Sequence, residues 1–128
     1  MSRHLLDSSA WIECLDEGPN TRHFAPILRK LPDLIVPTIA ILEVRRLVLR
    51  QRSISEADSV TRGMQTGEVI DLDATLAIEA ADLALRHRFP LADSIIYATT
   101  LRHKATLWTQ DEDFEGLPNV RYFPKIKA

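Results

Sequence analysis

Leu91 to Phe114 reads LADSIIYATTLRHKATLWTQDEDF. Asp93 stands in the first turn of a helix that follows Pro90 and runs from Ala92 to Leu101. A turn follows, and then Thr106 to Thr109 form a short apolar strand that runs straight into Asp111, Glu112 and Asp113. The apolar residues build the elements, and the acids sit where elements end. In a parallel sheet the carboxyl ends of the strands are where α/β proteins do chemistry. The stretch therefore asks whether Asp93 and Asp111 are two legs of one site, and which residues supply the others.

The rest of the chain repeats the pattern. Leu5 and Leu6 make a short buried strand ending at Asp7, and Ser8 or Ser9 is suited to cap the helix Ala10 to Asp16, which stops at Gly18-Pro19. A second helical stretch, Thr21 to Leu31, is interrupted by Pro26. Leu34 to Val36 reads as a buried strand between prolines. Pro37 suits the first turn of a third helix, reaching to about Arg50, with Ile41, Val44 and Val48 on one face. Ser53 or Ser55, three residues ahead of Glu56 or Asp58, opens a fourth helix to about Met64. Val69 to Leu72 is a third strand. Asp73 or Thr75 caps a fifth helix, in which Leu76, Ala80, Leu83 and Ala84 share a face, and Val120 to Phe123 is a weak fifth strand. Short apolar strands alternating with helices predict an α/β parallel sheet covered on both faces. The last residues, KIKA, read as a loose tail.

A length of 128 residues predicts a single domain, 1–128, with a real core. No apolar run is long enough to span a membrane, and MSRHLLDSS is not a secretory signal. With the lone Cys14 excluding an internal disulfide, the chain is expected in the cytoplasm. Setting Asp7, Glu43, Asp93 and Asp111 aside turns the formal net charge of −2 into +2. Arg45, Arg46, Arg50 and Arg52, then Arg86 to Arg88, Arg102 to Lys104, and Arg121, Lys125 and Lys127 form basic clumps. An acidic pocket rimmed by bases suits a metal-dependent enzyme acting on a polyanion. Taken singly, each clump reads as a solvated helix face or helix end.

Each acid also has an ordinary reading. Asp7 is placed to be a helix cap, Glu43 a surface partner of Arg46, Asp93 a residue stabilising a helix N-terminus, and Asp111 a turn-former. Their joint placement shifts the balance. Asp7 and Asp111 leave strands at one edge, Asp93 heads the helix that feeds the Asp111 strand, and Glu43 lies on the helix after a neighbouring strand. Packed carboxylates repel and raise each other's pKa unless a cation neutralises them. An all-oxygen set suits Mg²⁺ or Mn²⁺ rather than zinc.

Four segments, LLDSSAWIE (5–13), VPTIAILEV (36–44), LADSIIYATTL (91–101) and LWTQDEDF (107–114), resemble the PIN-domain nucleases, specifically the VapC toxins of toxin–antitoxin pairs. They and their spacing cover nearly the whole chain. The resemblance implies a PIN-like three-layer sandwich, with a five-stranded parallel sheet of order 3-2-1-4-5 and helices on both faces. It implies an endoribonuclease using one or two Mg²⁺ (or Mn²⁺) ions and metal-activated water, leaving 5′-phosphate and 3′-hydroxyl ends. Asp7, Glu43 and Asp93 match the family's first three acids, and Asp111 the more variable fourth. Thr109 matches a hydroxyl beside the metal, Ser8 the small polar residue after the first acid, and Asp113 the second acid of the T-x-D-x-D-F ending, outside the metal's immediate ligands. Glu13 matches an acid of the WIE segment, near the site or on the helix surface. The implied partners are an RNA substrate, a second copy in a homodimer, and a VapB-type antitoxin whose C-terminal segment lies in a groove over the site. DNA is reached only through that antitoxin. Trp11, Ile12 and Leu15 are candidates for that groove and for simple core.

His4, His23, His87 and His103 have no paired metal spacing, and Cys14 has no partner histidine. No phosphate-cradling glycine motif occurs. Trp108 and Phe114 are candidates to stack on a base, with core the better reading for Trp108 inside its strand, and Tyr97 reads as core or a dimer contact. Two rival readings remain at this level. One is a receiver-type phosphoacceptor domain, against which Asp7 stands alone and Lys104 precedes its strand. The other is a PIN domain that binds RNA without cleaving it, or a nuclease that acts without an antitoxin.

Overall fold

The computed structural model describes residues 3–127. In chain order its elements are β1 (His4–Leu6), α1 (Ser8–Leu15), α2 (Thr21–Leu28), β2 (Ile35–Pro37), α3 (Thr38–Gln51), α4 (Ile54–Met64), β3 (Glu68–Ile70), α5 (Ala74–His87), α6 (Leu91–Arg102), β4 (Thr106–Thr109), a 3₁₀ turn (Glu112–Phe114) and β5 (Val120–Tyr122). The five strands form one sheet of order β3-β2-β1-β4-β5, and every pairing is parallel. The receiver reading fails on this order, because doubly wound receiver sheets run 2-1-3-4-5. No described helix is long and apolar enough to cross a membrane.

Side chains alternate across a strand, so consecutive apolar residues serve opposite faces. Leu5, Ile35 and Leu107 point to the layer of α5 and α6, where Leu76, Ile96, Tyr97 and Phe114 close the core. Leu6, Leu34 and Val36 point the other way, onto Ala10, Trp11, Phe24, Val44, Val48 and Met64 of α1 to α4. Strands buried on both faces show continuous apolar runs rather than alternation. Trp11 belongs to this second core, and Ile12 and Leu15 pack half-buried against it. Trp108 is also half-buried, its Nε1 donating to His4 Nδ1 at 2.9 Å. Tyr97 and Phe114 are core.

Several boundaries differ from the sequence reading for physical reasons. Asp7, not Ser8 or Ser9, caps α1, because its carboxylate accepts from the backbone of Ala10. Strand β3 begins at Glu68 and ends at Ile70, since it is laid down by pairing with β2 and is an edge. Leu72, 44% exposed, is apolar without being part of it. Gly67 permits this approach: a Cβ there would lie 2.7 Å from Val36 Cγ2 and 2.8 Å from Leu34 O. Helix α2 ends at Leu28, not Leu31, and passes over Pro26. On α3 the buried face is Ala40, Val44 and Val48, with Ile41 only half-buried. The alternatives at α4 and α5 resolve to Ser53, bonded to Glu56 N, and Asp73, bonded to Leu76 N. The tail is anchored at its root: Phe123 N donates to Thr109 O at 2.9 Å, and Asn20 Nδ2 to Pro124 O at 2.9 Å.

Leu107 is fully buried at the centre of the sheet, whereas Leu85 on α5 is 86% exposed. Replacing Leu107 by Ala should cost about 2–5 kcal/mol in chemical denaturation. Leu85→Ala should stay within about 0.5 kcal/mol, because no core contact is lost.

Candidate metal centre

The register of the two central strands builds the site. Leu6 pairs with Trp108, so Asp7 and Thr109 lie side by side where β1 and β4 end. Thr109 is fully buried, and its hydroxyl donates to Asp7 Oδ2 at 2.6 Å. Asp7 Oδ1 accepts from Ala10 N at 3.0 Å and from Ser9 Oγ at 2.8 Å. Asp7 is only 3% exposed. Burial pushes its carboxyl up to about 6, against the pull of these three hydrogen bonds, and the charge of Asp111 adds to the rise.

The Thr109 hydroxyl has a second role, accepting from Asp111 N at 2.9 Å. Asp111 Oδ1 in turn accepts from Asp113 N at 2.9 Å and caps the 3₁₀ turn. Opposite this loop, Asp93 occupies the first turn of α6. One carboxylate oxygen each from Asp93, Asp111 and Asp113 lie within 4.8 Å of one another. Asp93 is pushed up to about 8, first by burial, then by the charge of Asp111, the hydrogen bond and charge of Asp113, and the charge of Asp7. A helix N-terminus favours a carboxylate, so burial and the neighbouring acids together outweigh it here.

The four acids singled out by sequence are thus not placed alike. Asp7, Asp93 and Asp111 act on one another at the sheet edge. Glu43 is one step removed: its Oε1 accepts from Ser8 Oγ at 2.5 Å, which ties α3 to the first residue of α1. Ser8 therefore serves Glu43, while Ser9 serves Asp7. Asp113, held outside the immediate ligands by sequence, stands inside the tightest carboxylate group. The donor set is all oxygen, as a hard dication such as Mg²⁺ or Mn²⁺ requires. Such a cation would displace the protons that crowding leaves on Asp93 near neutral pH.

A buried polar network behind the site was not foreseen. Gln110 Nε2 donates to Ser9 O and to Glu13 Oε1, each at 3.4 Å, and its Oε1 accepts from Asn20 Nδ2 at 3.0 Å. Asn20, 1% exposed, also donates from its backbone N to Glu13 Oε2 at 2.8 Å. Glu13 thus faces this network rather than only the helix surface. Of its members the sequence singles out only Glu13, through the WIE segment; Asn20 and Gln110, polar residues between elements, read by themselves as loop.

The PIN domain family model matches residues 4–119. Among solved structures, the chain is similar to a toxin–antitoxin complex from Klebsiella pneumoniae, at 23% identity and a TM-score of 0.79 over 96% of this chain and 99% of that one. A VapC toxin of Mycobacterium tuberculosis, described as cleaving the sarcin–ricin loop, matches at 19% identity and a TM-score of 0.73, over 90% and 95%. DNA-bound VapBC from Salmonella typhimurium matches at 18% identity and a TM-score of 0.69, over 97% and 98%. At these identities the likeness is one of fold. No curated protein sequence matches significantly.

The raised carboxyls set a pH dependence. Folded Asp7 and Asp93 hold protons at pH values where the unfolded chain, with carboxyls near 3.8, has released them. Unfolding then releases protons, so stability falls as pH rises. In chelator, the melting temperature should decline from about pH 4 to about pH 8, and Mn²⁺ or Mg²⁺ should flatten that decline. Asp93→Asn should melt higher than wild type at pH 8 in chelator, and the difference should vanish near pH 4. An unchanged melting profile across this range would contradict the crowding argument.

Proposed function

This chain belongs to the PIN-domain family, and from that premise we propose that it is a single-domain, Mg²⁺- or Mn²⁺-dependent endoribonuclease, the toxic member of a toxin–antitoxin pair. The observation that carries the reading is the convergence of Asp93, Asp111 and Asp113 within 4.8 Å, beside a buried Asp7 whose carboxyl is raised to about 6. An isolated group of charges this close costs stability, so its presence at a sheet edge favours a bound dication. Asp7, Asp93 and Asp111 are the proposed ligands; Asp113 and Glu43 are available as further oxygen donors. When bound, the dication supplies Lewis acidity toward a phosphate oxygen and an activated water for phosphodiester attack.

The chain's own residues pre-position this arrangement. Thr109 holds one oxygen of Asp7 and the backbone N–H of Asp111, while Asp113 N holds the Asp111 carboxylate. Ser9 and Ala10 N hold the other Asp7 oxygen, which orients the carboxylate before any ligand arrives. Ser8 does the same for Glu43. The products would carry 5′-phosphate and 3′-hydroxyl ends.

The same proposal includes a VapB-type antitoxin, a homodimer and a cytoplasmic setting. The antitoxin partner is supported by structural neighbours described as toxin–antitoxin complexes and DNA-bound VapBC. DNA contact would come through the antitoxin. A PIN domain that only binds RNA, or one acting without an antitoxin, is separated from this reading by experiment.

Purified protein incubated with total RNA should generate 5′-phosphate ends in Mg²⁺ or Mn²⁺ and none in EDTA. Asp7→Asn and Asp93→Asn should each lower cleavage by a factor of about 10² or more, as loss of a charge-stabilising group does, while remaining folded by circular dichroism. Expression of wild type, but not of Asp93→Asn, should arrest growth. Full cleavage by a folded Asp93→Asn protein would overturn the assignment.

A further inference from the structure

Strand β5 ends at the same sheet edge as Asp7 and Asp111, since Tyr122 pairs with Thr109. The chain beyond it does not turn away. Phe123 lies flat on the ring of His23, with centroids 4.1 Å apart, and its N–H donates to Thr109 O. Asn20 Nδ2 donates to Pro124 O at 2.9 Å and to Gln110 Oε1 at 3.0 Å. Buried amides must be paired, and this one directs its side-chain donors at the tail and the exit of β4. A short segment without regular structure is thereby held beside the acidic loop.

The result is a concavity of about 460 Å³ lined by Gln110, Asp111, Glu112 and Asp113 from the loop and by Tyr122, Pro124, Lys125 and Lys127 from the tail. Lys125 and Lys127 share this space with three acids, yet among the described residues they make no ion pair. A site built from carboxylates repels the polyanion it must bind. Fixed positive charge at its mouth offsets that repulsion and is sensitive to salt.

Resting on the nuclease reading, we propose that Lys125 and Lys127 bind the phosphate backbone of the RNA strand at the mouth of the acidic site, and that Asn20 is the positioning residue that holds their segment there. The tail is then a wall of the substrate cleft rather than a loose end.

The test uses the full chain and a 20-nucleotide single-stranded RNA of randomised sequence. With Asp93→Asn as the background, binding is read without cleavage. Adding Lys125→Ala and Lys127→Ala should weaken binding on the order of tenfold at low salt. It should also lower the slope of log affinity against log salt by about 1.4, at roughly 0.7 per phosphate contact. In the active chain the same pair should raise KM and change kcat less than about twofold. Asn20→Leu, which keeps the size and loses both side-chain donors without adding charge, should shift KM and the salt slope in the same direction while Mn²⁺ affinity stays at the wild-type value. Melting temperatures identify an Asn20 variant that is merely unfolded, and the lysine pair then decides. Unchanged affinity and slope in the lysine pair would overturn the proposal, as would weaker binding with an unchanged slope. If wild type cleaves no RNA, the nuclease reading fails; the salt slope still reports on the lysines independently.

Discussion

The hydroxyl of Thr109 is the contact on which the site depends. It is buried between the two central strands, donates to Asp7 and accepts from the backbone of Asp111. It can reach both only because β1 and β4 pair in the register Leu6 to Trp108. A slip of one residue would move every side chain of the strand to the other face. The apolar residues upstream forbid that slip: Leu5 and Leu107 fill one layer, and Leu6 fills the other. Packing of carbon thus sets the position of oxygen to within a hydrogen bond.

Around this contact the fold tolerates an electrostatic cost. Asp7 and Asp93 are both pushed upward, and burial is the first cause in each. Neighbouring acids add to the rise: the charge of Asp111 at Asp7, and those of Asp111, Asp113 and Asp7 at Asp93. Two of the acids have structural duties: Asp7 caps α1, and Asp111 caps the 3₁₀ turn. These caps partly compensate the crowding. They also explain why local sequence reading finds a helix cap and a metal-site acid equally plausible at Asp7; the structure assigns it the cap, and its place among the acids makes it a candidate for both.

Behind the acids, Glu13, Asn20 and Gln110 join α1, the start of α2 and the exit of β4 by hydrogen bonds, and extend the link to Pro124. The start of α2 and the segment after β5 therefore meet at one sheet edge. Gly18 lies within this arrangement: a Cβ there would approach Glu13 Oε1 to 2.3 Å.

The five strands, the six helices and the edge at which the acids emerge are legible in the sequence because they follow from periodicity. Apolar residues at spacings of two or of three and four have few ways to be buried; Asp7 and Asp111 follow where strands stop, and Asp93 where a helix begins. Boundaries set by pairing were not legible: β3 is defined by hydrogen bonds to β2, not by its own hydrophobicity. Nor was the standing of Asp113 relative to Glu43, nor the choice of Ser9 rather than Ser8 beside Asp7. Those depend on side-chain directions at element ends, where no period operates. The anchoring of the tail was likewise hidden, because Asn20 and Pro124 are 104 residues apart and meet only when the sheet closes. Local pattern determines which elements exist and where they end; contacts between residues distant in the chain decide which polar atoms face each other, and only tertiary structure supplies those.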